Sequence, residues 1–545
     1  MKDDSRLSTV LLSSMILVVS LVKAGWADDA AVSNVIDEHI RAAWKTESVE
    51  PAVLASDAEF LRRIYLDLVG TVPTFEETVE FLESDQQDKR RKLIDQLLSA
   101  PRYARHQANV WDSVLMLRNP PRYDARTRPE FRQWLRDQFE KNVRYDVWAR
   151  KLIEARGNSV ENGESMYLIQ YSGKAQDTAV SVTRLFLGIQ VQCARCHDHP
   201  FDDFSQRDFY GMSAFFARLQ VVSVGKKNNR NALAVGERNL GDILFTGPQI
   251  EQKPGQKGEP VAARFLKGEV LREPELPENF EEPRNFPSGK MPSPPRFSRK
   301  DKLAEWIVRP DNPYFRRAIV NRLWAQYMGR GLVHPVDNLS PKNPPSHPEL
   351  LDSLAQSMLD HKFDLKWFIR ELVNSDAYRL GSVGSSQRDR PLWFERARVR
   401  PLTTHELLDS FRIVTGFDAA MQAAGQDPEK RLPGAIFSYM DQTFGATSSG
   451  TGEYQASLKE HLFLNNASQL RSLIRSGKLL KDLSAGELSA EEKVERLFLT
   501  VLSRRPSAEE NKKFVAYLSS ETKDDSPLEE AIWTLLTCSE FRFNH

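Results

Sequence analysis

The sequence predicts a mainly α-helical protein: two helical domains joined by a proline- and glycine-rich irregular segment with short β-strands. Three observations point there. Apolar residues recur at helical spacing on both sides of the middle, capping boxes open several of those runs, and proline is concentrated between them. The division reads as 1–27 signal peptide, 28–220 first helical domain, 221–300 irregular segment, 301–545 second helical domain.

In the first domain, Phe60, Leu61, Ile64 and Leu68 line one side of a helix that Gly70 and Pro73 then stop. Asp67 stands within reach of Arg63 on that helix, four residues away, as a structural ion pair. Thr74-Phe75-Glu76-Glu77 is a capping box, because Thr74 and Glu77 can each satisfy the other's orphan backbone donor. A further helix over roughly 176–192 carries Val180, Val182, Leu185, Phe186 and Ile189 towards Cys193.

Residues 221–300 differ in kind. Ten of the thirty prolines fall there, and proline removes donors and fixes φ, which excludes long helices. Short strands are expected around 241–244 and 261–265. From 301 onward the helical pattern returns. Ser346-His347-Pro348-Glu349, Ser489-Ala490-Glu491-Glu492, Ser507-Ala508-Glu509-Glu510 and Ser526-Pro527-Leu528-Glu529 each read as a capping box ahead of an apolar-periodic run. Gly329-Arg330-Gly331 reads as a helix stop rather than a phosphate loop. Trp324 reads as a helix-docking residue, Arg322 as the partner of a carboxylate, and His347 as a packing residue in the first turn of its helix.

Composition narrows the function. Lys plus Arg equals Asp plus Glu at 75 each, so nothing favours nucleic acid or an anionic membrane surface as partner. Lys2 and Arg6, the 13 apolar-rich residues from Val10 to Val22, and small residues ahead of a cut after Ala24 or Ala27 read as an export signal. A secreted or periplasmic protein with no stable membrane span after cleavage is therefore expected. In an oxidising compartment three cysteines make no disulfide framework. Two of them form a site, and Cys538 reads as a small buried side chain.

That site is Cys193-Ala194-Arg195-Cys196-His197, a C-x-x-C-H attachment pattern for c-type haem. Two thiols three positions apart can reach the two vinyl groups of one porphyrin, and the next residue offers imidazole to iron. Met212, set among Phe209, Tyr210, Phe215 and Phe216, is the candidate sixth ligand, although core packing is the stronger reading of it. The pattern runs on through Asp198, His199, Pro200, Phe201 and Asp202, so a second reading stays open. Cys193, Cys196, His197 and His199, with Asp202 as ligand or orienting group, could hold zinc or iron. A third is a redox-active disulfide with His197 activating a thiol. His334, His361, His405 and His461 lack partners at metal spacing, and the chain has no G-x-S-x-G turn and no H-E-x-x-H helix.

The residues also resemble a family. Phe60-Leu61-Arg62-Arg63-Ile64-Tyr65-Leu66-Asp67-Leu68-Val69-Gly70-Thr71-Val72-Pro73, Phe186-Leu187-Gly188 and the extended C-x-x-C-H stretch match in the first half. Asn321-Arg322-Leu323-Trp324, Gly329-Arg330-Gly331, Pro344-Pro345-Ser346-His347-Pro348-Glu349-Leu350 and the final Ser539-Glu540-Phe541 through Asn544-His545 match in the second. Together they resemble planctomycete secreted proteins that join a secreted cytochrome type two domain to a planctomycete secreted domain type one. The resemblance implies export and a C-x-x-C-H site, but these are domains of unknown function. Many such proteins carry a C-x-C pair where this chain has Ser449-Gly450-Thr451-Gly452-Glu453. The reading that results is a c-type cytochrome-like protein carrying haem c and exchanging electrons with a redox partner. The alternatives are a scaffold or binding protein, or a metal-dependent hydrolase, built on a zinc or iron cluster.

Overall fold

The computed structural model describes residues 31–116, 128–245, 247, 258–384, 390–432, 436–437, 440, 458–485, 487–520 and 526–545. The export-signal reading (1–27) and the 449–453 stretch lie outside them. The protein is mainly α-helical, with small antiparallel sheets of two or three strands among the described residues. No helix among them is long and apolar enough to cross a membrane.

Two apolar cores organise the chain. The larger gathers side chains from Val32 to Phe394, taking Val235, Ala263 and Leu266 from the proline-rich segment. The second gathers Leu402 to Phe541 and also takes in Leu66 and Val72. Helix Asp57–Val69 thus serves both cores, and every residue from Phe60 to Val69 is buried, Arg62, Arg63 and Asp67 included. Its amphipathic spacing understates this burial, because a helix wedged between two cores has no face left for water. Gly70 ends it in the left-handed conformation (φ 70°), as expected.

Burial decides the partners of its charges. Arg62 donates to the carbonyls of Val501 (3.3 Å), Glu540 (3.3 Å) and Phe541 (2.8 Å). Arg63 donates to Tyr378 O (2.9 Å), Leu380 O (2.8 Å) and Glu59 (2.8 Å). The expected Arg63–Asp67 pair is therefore replaced: Asp67 receives Arg400 (2.9 Å), Tyr378 Oη (2.8 Å) and Asn544 (2.7 Å) instead. The tertiary neighbours occupy Asp67, while Arg63 is taken up by Glu59 and the carbonyls of Tyr378 and Leu380.

The capping boxes at Thr74, Ser489 and Ser507 form in full. Two others do not. Pro348 takes the first helical position, which moves the cap to His347 and leaves Ser346 bonding Leu332 O (2.8 Å). Ser526 is the cap of Pro527–Thr537 without a side-chain bond, and the Glu529 carboxylate, which would complete the box, is held by Arg475 (2.9 Å). His347 packs against Trp393 and Phe394, as its packing reading requires. Trp324 meets Phe394 edge-on at 5.2 Å, Arg322 pairs with Asp337, and Gly329 closes helix Pro313–Met328 at φ 74°.

The irregular segment holds more β structure than expected. Leu219–Lys227 and Arg230–Glu237 form a hairpin, extended by Gly157–Asn158 into a three-stranded sheet. Asn228 and Asn229 turn it with φ 48° and 59°, a two-residue loop with both central residues left-handed. The expected strand near 241–244 is Ile243–Phe245, and the one expected near 261–265 lies earlier, at Glu259–Val261, with which it pairs. The expected helix over 176–192 ends early. It is α over Ala175–Val182, widens to a π turn over Thr183–Leu187, and stops at Gly188 (φ 67°).

Candidate functional site

Gly188 is where the site begins. A Cβ there would lie 2.7 Å from Leu339 Cδ1 and 3.3 Å from Ala318 Cβ, so both the positive φ and the close approach of the second half require glycine. Leu339 N donates to Gly188 O at 2.8 Å. Past this junction the chain makes a 3₁₀ turn, Gln192–Arg195, with only Ala194 buried. Cys193 and Cys196 are exposed free thiols on that turn and its end. His197 is exposed, and its Nδ1 stands 2.6 Å from Asp198 O. A carbonyl can only accept, so Nδ1 carries the proton and Nε2 keeps its lone pair for a ligand.

The residues after His197 hold the loop. Asp198 Oδ1 accepts the backbone N–H of Gln206 (2.8 Å), and Gln206 Nε2 donates to Arg195 O (3.1 Å). Both bonds anchor the turn to the start of helix Gln206–Ala214, which Ser205 and Asp208 open as a reciprocal capping box. His199 Nδ1 accepts from Asp202 N (2.8 Å) and Phe201 N (3.3 Å), which puts the ring proton on Nε2. Asp202 is nearly buried and accepts from Ser340 Oγ of the second half. His199 and Asp202 thus have local structural partners of their own. Among the described residues no three Cys, His, Asp or Glu side chains converge as a metal cage.

Met212 lies fully buried in the larger core on helix Gln206–Ala214. Phe201, by contrast, is 67% exposed. Sequence reasoning named Gly188 only within the family resemblance and did not reach Gln206, Leu339 or Ser340. The Ser205/Asp208 capping box was available as a signal for the first anchor; Ser340 has no local signature, since its partner lies 138 residues away.

The segment bearing Leu339 and Ser340 is itself braced. Asn321 Nδ2 donates to Val333 O (2.8 Å) and Val336 O (3.0 Å), and Asn321 Oδ1 accepts Val333 N (2.9 Å). Asn343 Nδ2 donates to Asn338 O (2.9 Å). The Asn321-Arg322 stretch thus shapes the loop on which the C-x-x-C-H segment rests.

Comparison with known proteins adds two matches. Residues 35–221 match the family model PSCyt2, described as a protein of unknown function (DUF1549). Residues 299–462 match PSD1, likewise described as a protein of unknown function (DUF1553). No curated protein and no solved structure matches the chain.

Proposed function

The chain belongs to the two-domain family in which PSCyt2 is followed by PSD1, and on that premise we propose that it is an extracytoplasmic c-type cytochrome-like electron-transfer protein. The observation that carries the reading is the state of the C-x-x-C-H turn. Two exposed thiols stand on one turn beside an imidazole whose Nδ1–H is held by a backbone carbonyl, leaving Nε2 as donor. That donor set fits haem c: Cys193 and Cys196 would hold the porphyrin through thioethers and His197 would bind its iron. When bound, the haem iron supplies a one-electron couple.

The chain's own contribution is positional. Asp198 and Gln206 hold the turn, His199 closes the loop behind it, and Asp202 ties it to Ser340. Phe201, five residues after Cys196, offers an apolar ring to water, a surface suited to covering a flat apolar group. The hydrogen bonds on His199 and Asp202 favour haem over a zinc or iron cage, which would need those same lone pairs. The partner on this reading is a redox protein or carrier outside the cytoplasm.

The test is export in a host that matures c-type haem, followed by a denaturing gel stained for haem peroxidase activity. A stained band at the chain's mass, lost in Cys193→Ser/Cys196→Ser, is the expected result. A well-expressed but unstained band sinks the reading, and elemental analysis for zinc and iron then decides for or against the metal cage.

A further inference from the structure

Thioether attachment and iron binding use Cys193, Cys196 and His197, while His199 and Asp202 have structural partners of their own. Asp198, next to the imidazole, belongs to neither set. Its carbonyl and its carboxylate are both engaged, and the two bonds have related consequences.

A peptide group is planar, and in the trans form its C=O and N–H point in opposite directions. The peptide joining Asp198 to His199 is bonded at both edges. On one edge His199 N donates to Phe204 O at 2.8 Å. On the other, Asp198 O accepts His197 Nδ1–H at 2.6 Å. The first bond fixes the plane that the second uses. Phe204 is buried in the larger core, so the anchor of that plane is firm.

The carboxylate adds a second hold. Asp198 Oδ1 accepts the backbone N–H of Gln206 (2.8 Å), the first residue of helix Gln206–Ala214, whose N–H has no acceptor within the helix. A carboxylate at that end gains from the helix dipole and from a charge-assisted bond. Gln206 is 4% exposed, and its Nε2 donates to Arg195 O between the two cysteines. Residues 204–206 therefore grip the chain on both sides of His197. Without the carboxylate, residue 198 is free to turn about its own backbone bonds and take its carbonyl off Nδ1. An exposed imidazole then bonds water through either nitrogen.

We propose that Asp198 is a positioning residue for His197. Its carboxylate, held by the Gln206 N–H, keeps the Asp198 carbonyl on Nδ1–H, so that Nε2 is the bare nitrogen offered to iron before any cofactor arrives. The role towards iron rests on the haem reading; the tautomer of His197 does not. A carbonyl on Nδ1–H also makes Nε2 the stronger donor, which favours ferric over ferrous iron.

The experiment has two arms. The haem-free full chain, labelled with ¹⁵N in histidine, is observed by long-range ¹H–¹⁵N correlation at pH 8.5, where imidazoles are neutral. The His197 signals are assigned by their loss in His197→Gln. Nδ1–H is expected in the parent and in Asp198→Asn, whose amide oxygen still accepts, whereas Asp198→Ala should move much of the population to Nε2–H. Asp198 is exposed, so the circular dichroism spectrum should not change. Asp198→Leu, similar in size and without an acceptor, serves should Asp198→Ala fail to fold. In the second arm, at equal haem content, Asp198→Ala should raise the midpoint potential by about a tenfold shift in the ferric-to-ferrous equilibrium, about 59 mV for one electron. Asp198→Asn should stay with the parent. An Nδ1–H tautomer that survives Asp198→Ala, or Nε2–H in the parent, overturns the proposal whether or not haem is bound. An unchanged potential at equal haem content overturns the link to iron. A parent chain that never takes up haem but shows the expected tautomers sinks the haem reading and upholds the positioning of His197.

Discussion

Along the loop from Cys193 to Phe201 the chemically active side chains face water, and backbone-directed bonds to Asp198, His199 and Gln206 hold the chain in place. In the cluster around Asp67 the arrangement is reversed. There the charged side chains are themselves the ties, linking helix Asp57–Val69 to residue 400, to Tyr378 and to the last residues of the chain. The loop can lose its reactive groups and keep its shape. The cluster cannot, because its charges are buried and each depends on the others. The loop and the cluster around Asp67 thus place their polar side chains oppositely, towards water in one and into the interior in the other.

The sharpest way to break this contrast is Arg400→Ala. It strips two buried carboxylates, Asp67 and Glu406, of their shared cation. Although burial opposes its charge, Arg400 is held strongly protonated by Glu406 and Asp67. A loss of about 3–5 kcal/mol in chemical denaturation is expected. A loss below about 1 kcal/mol would show that the cluster's charges are no more structural than those of an ordinary surface pair.

Next in size is a pH effect. Burial pushes His106, beside Glu406, down to about 4 and His347 also down to about 4, from an ordinary 6.5. Below pH 6.5 the unfolded chain takes up protons at these positions while the folded chain does not. Stability from both groups is therefore complete above 6.5 and is lost as pH falls towards 4, by about 1.4 kcal/mol per group for each unit of that window. Melting temperatures measured between pH 7 and 4 should fall accordingly, and His347→Gln should flatten the slope. An unchanged slope in that variant would remove His347 from the account.

Ser340→Ala tests the loop's side-chain tie to the second half. It leaves Asp202 Oδ1 without its donor and should cost about 1–3 kcal/mol. Amide exchange over residues 197–205 should rise while that of helix Asp57–Val69 does not. Uniform acceleration across the chain would mean that the tie serves the whole fold and not the loop.

The smallest effect belongs to the thiols. In haem-free protein, Cys193→Ser/Cys196→Ser should shift stability by no more than about 0.5 kcal/mol, since both side chains are exposed. A larger loss would place the cysteines in the structural framework and undo the contrast with the cluster.

The sequence by itself determined what depends on near neighbours. The helical class, the capping boxes at Thr74, Ser489 and Ser507, and the left-handed glycine stops at Gly70 and Gly329 all follow from interactions within a few residues. The C-x-x-C-H turn was legible for the same reason. The Asn228-Asn229 hairpin was readable in principle, since asparagine tolerates positive φ, but the proline count around it drew attention to irregular chain.

Only the tertiary structure decided which partner each buried charge would take. Arg63 had an acid four residues away on either side, and Glu59 rather than Asp67 became its partner because Arg400 and Asn544 arrive at Asp67 from more than 300 residues away. Glu529 likewise left its capping position for Arg475. The docking of Gly188 and Asp202 on Leu339 and Ser340 belongs to the same class. Local backbone preferences amount to about 1 kcal/mol or less per residue, whereas an unpaired buried charge costs several. Where chain segments distant in sequence meet, the pairing of charges therefore overrides the local pattern.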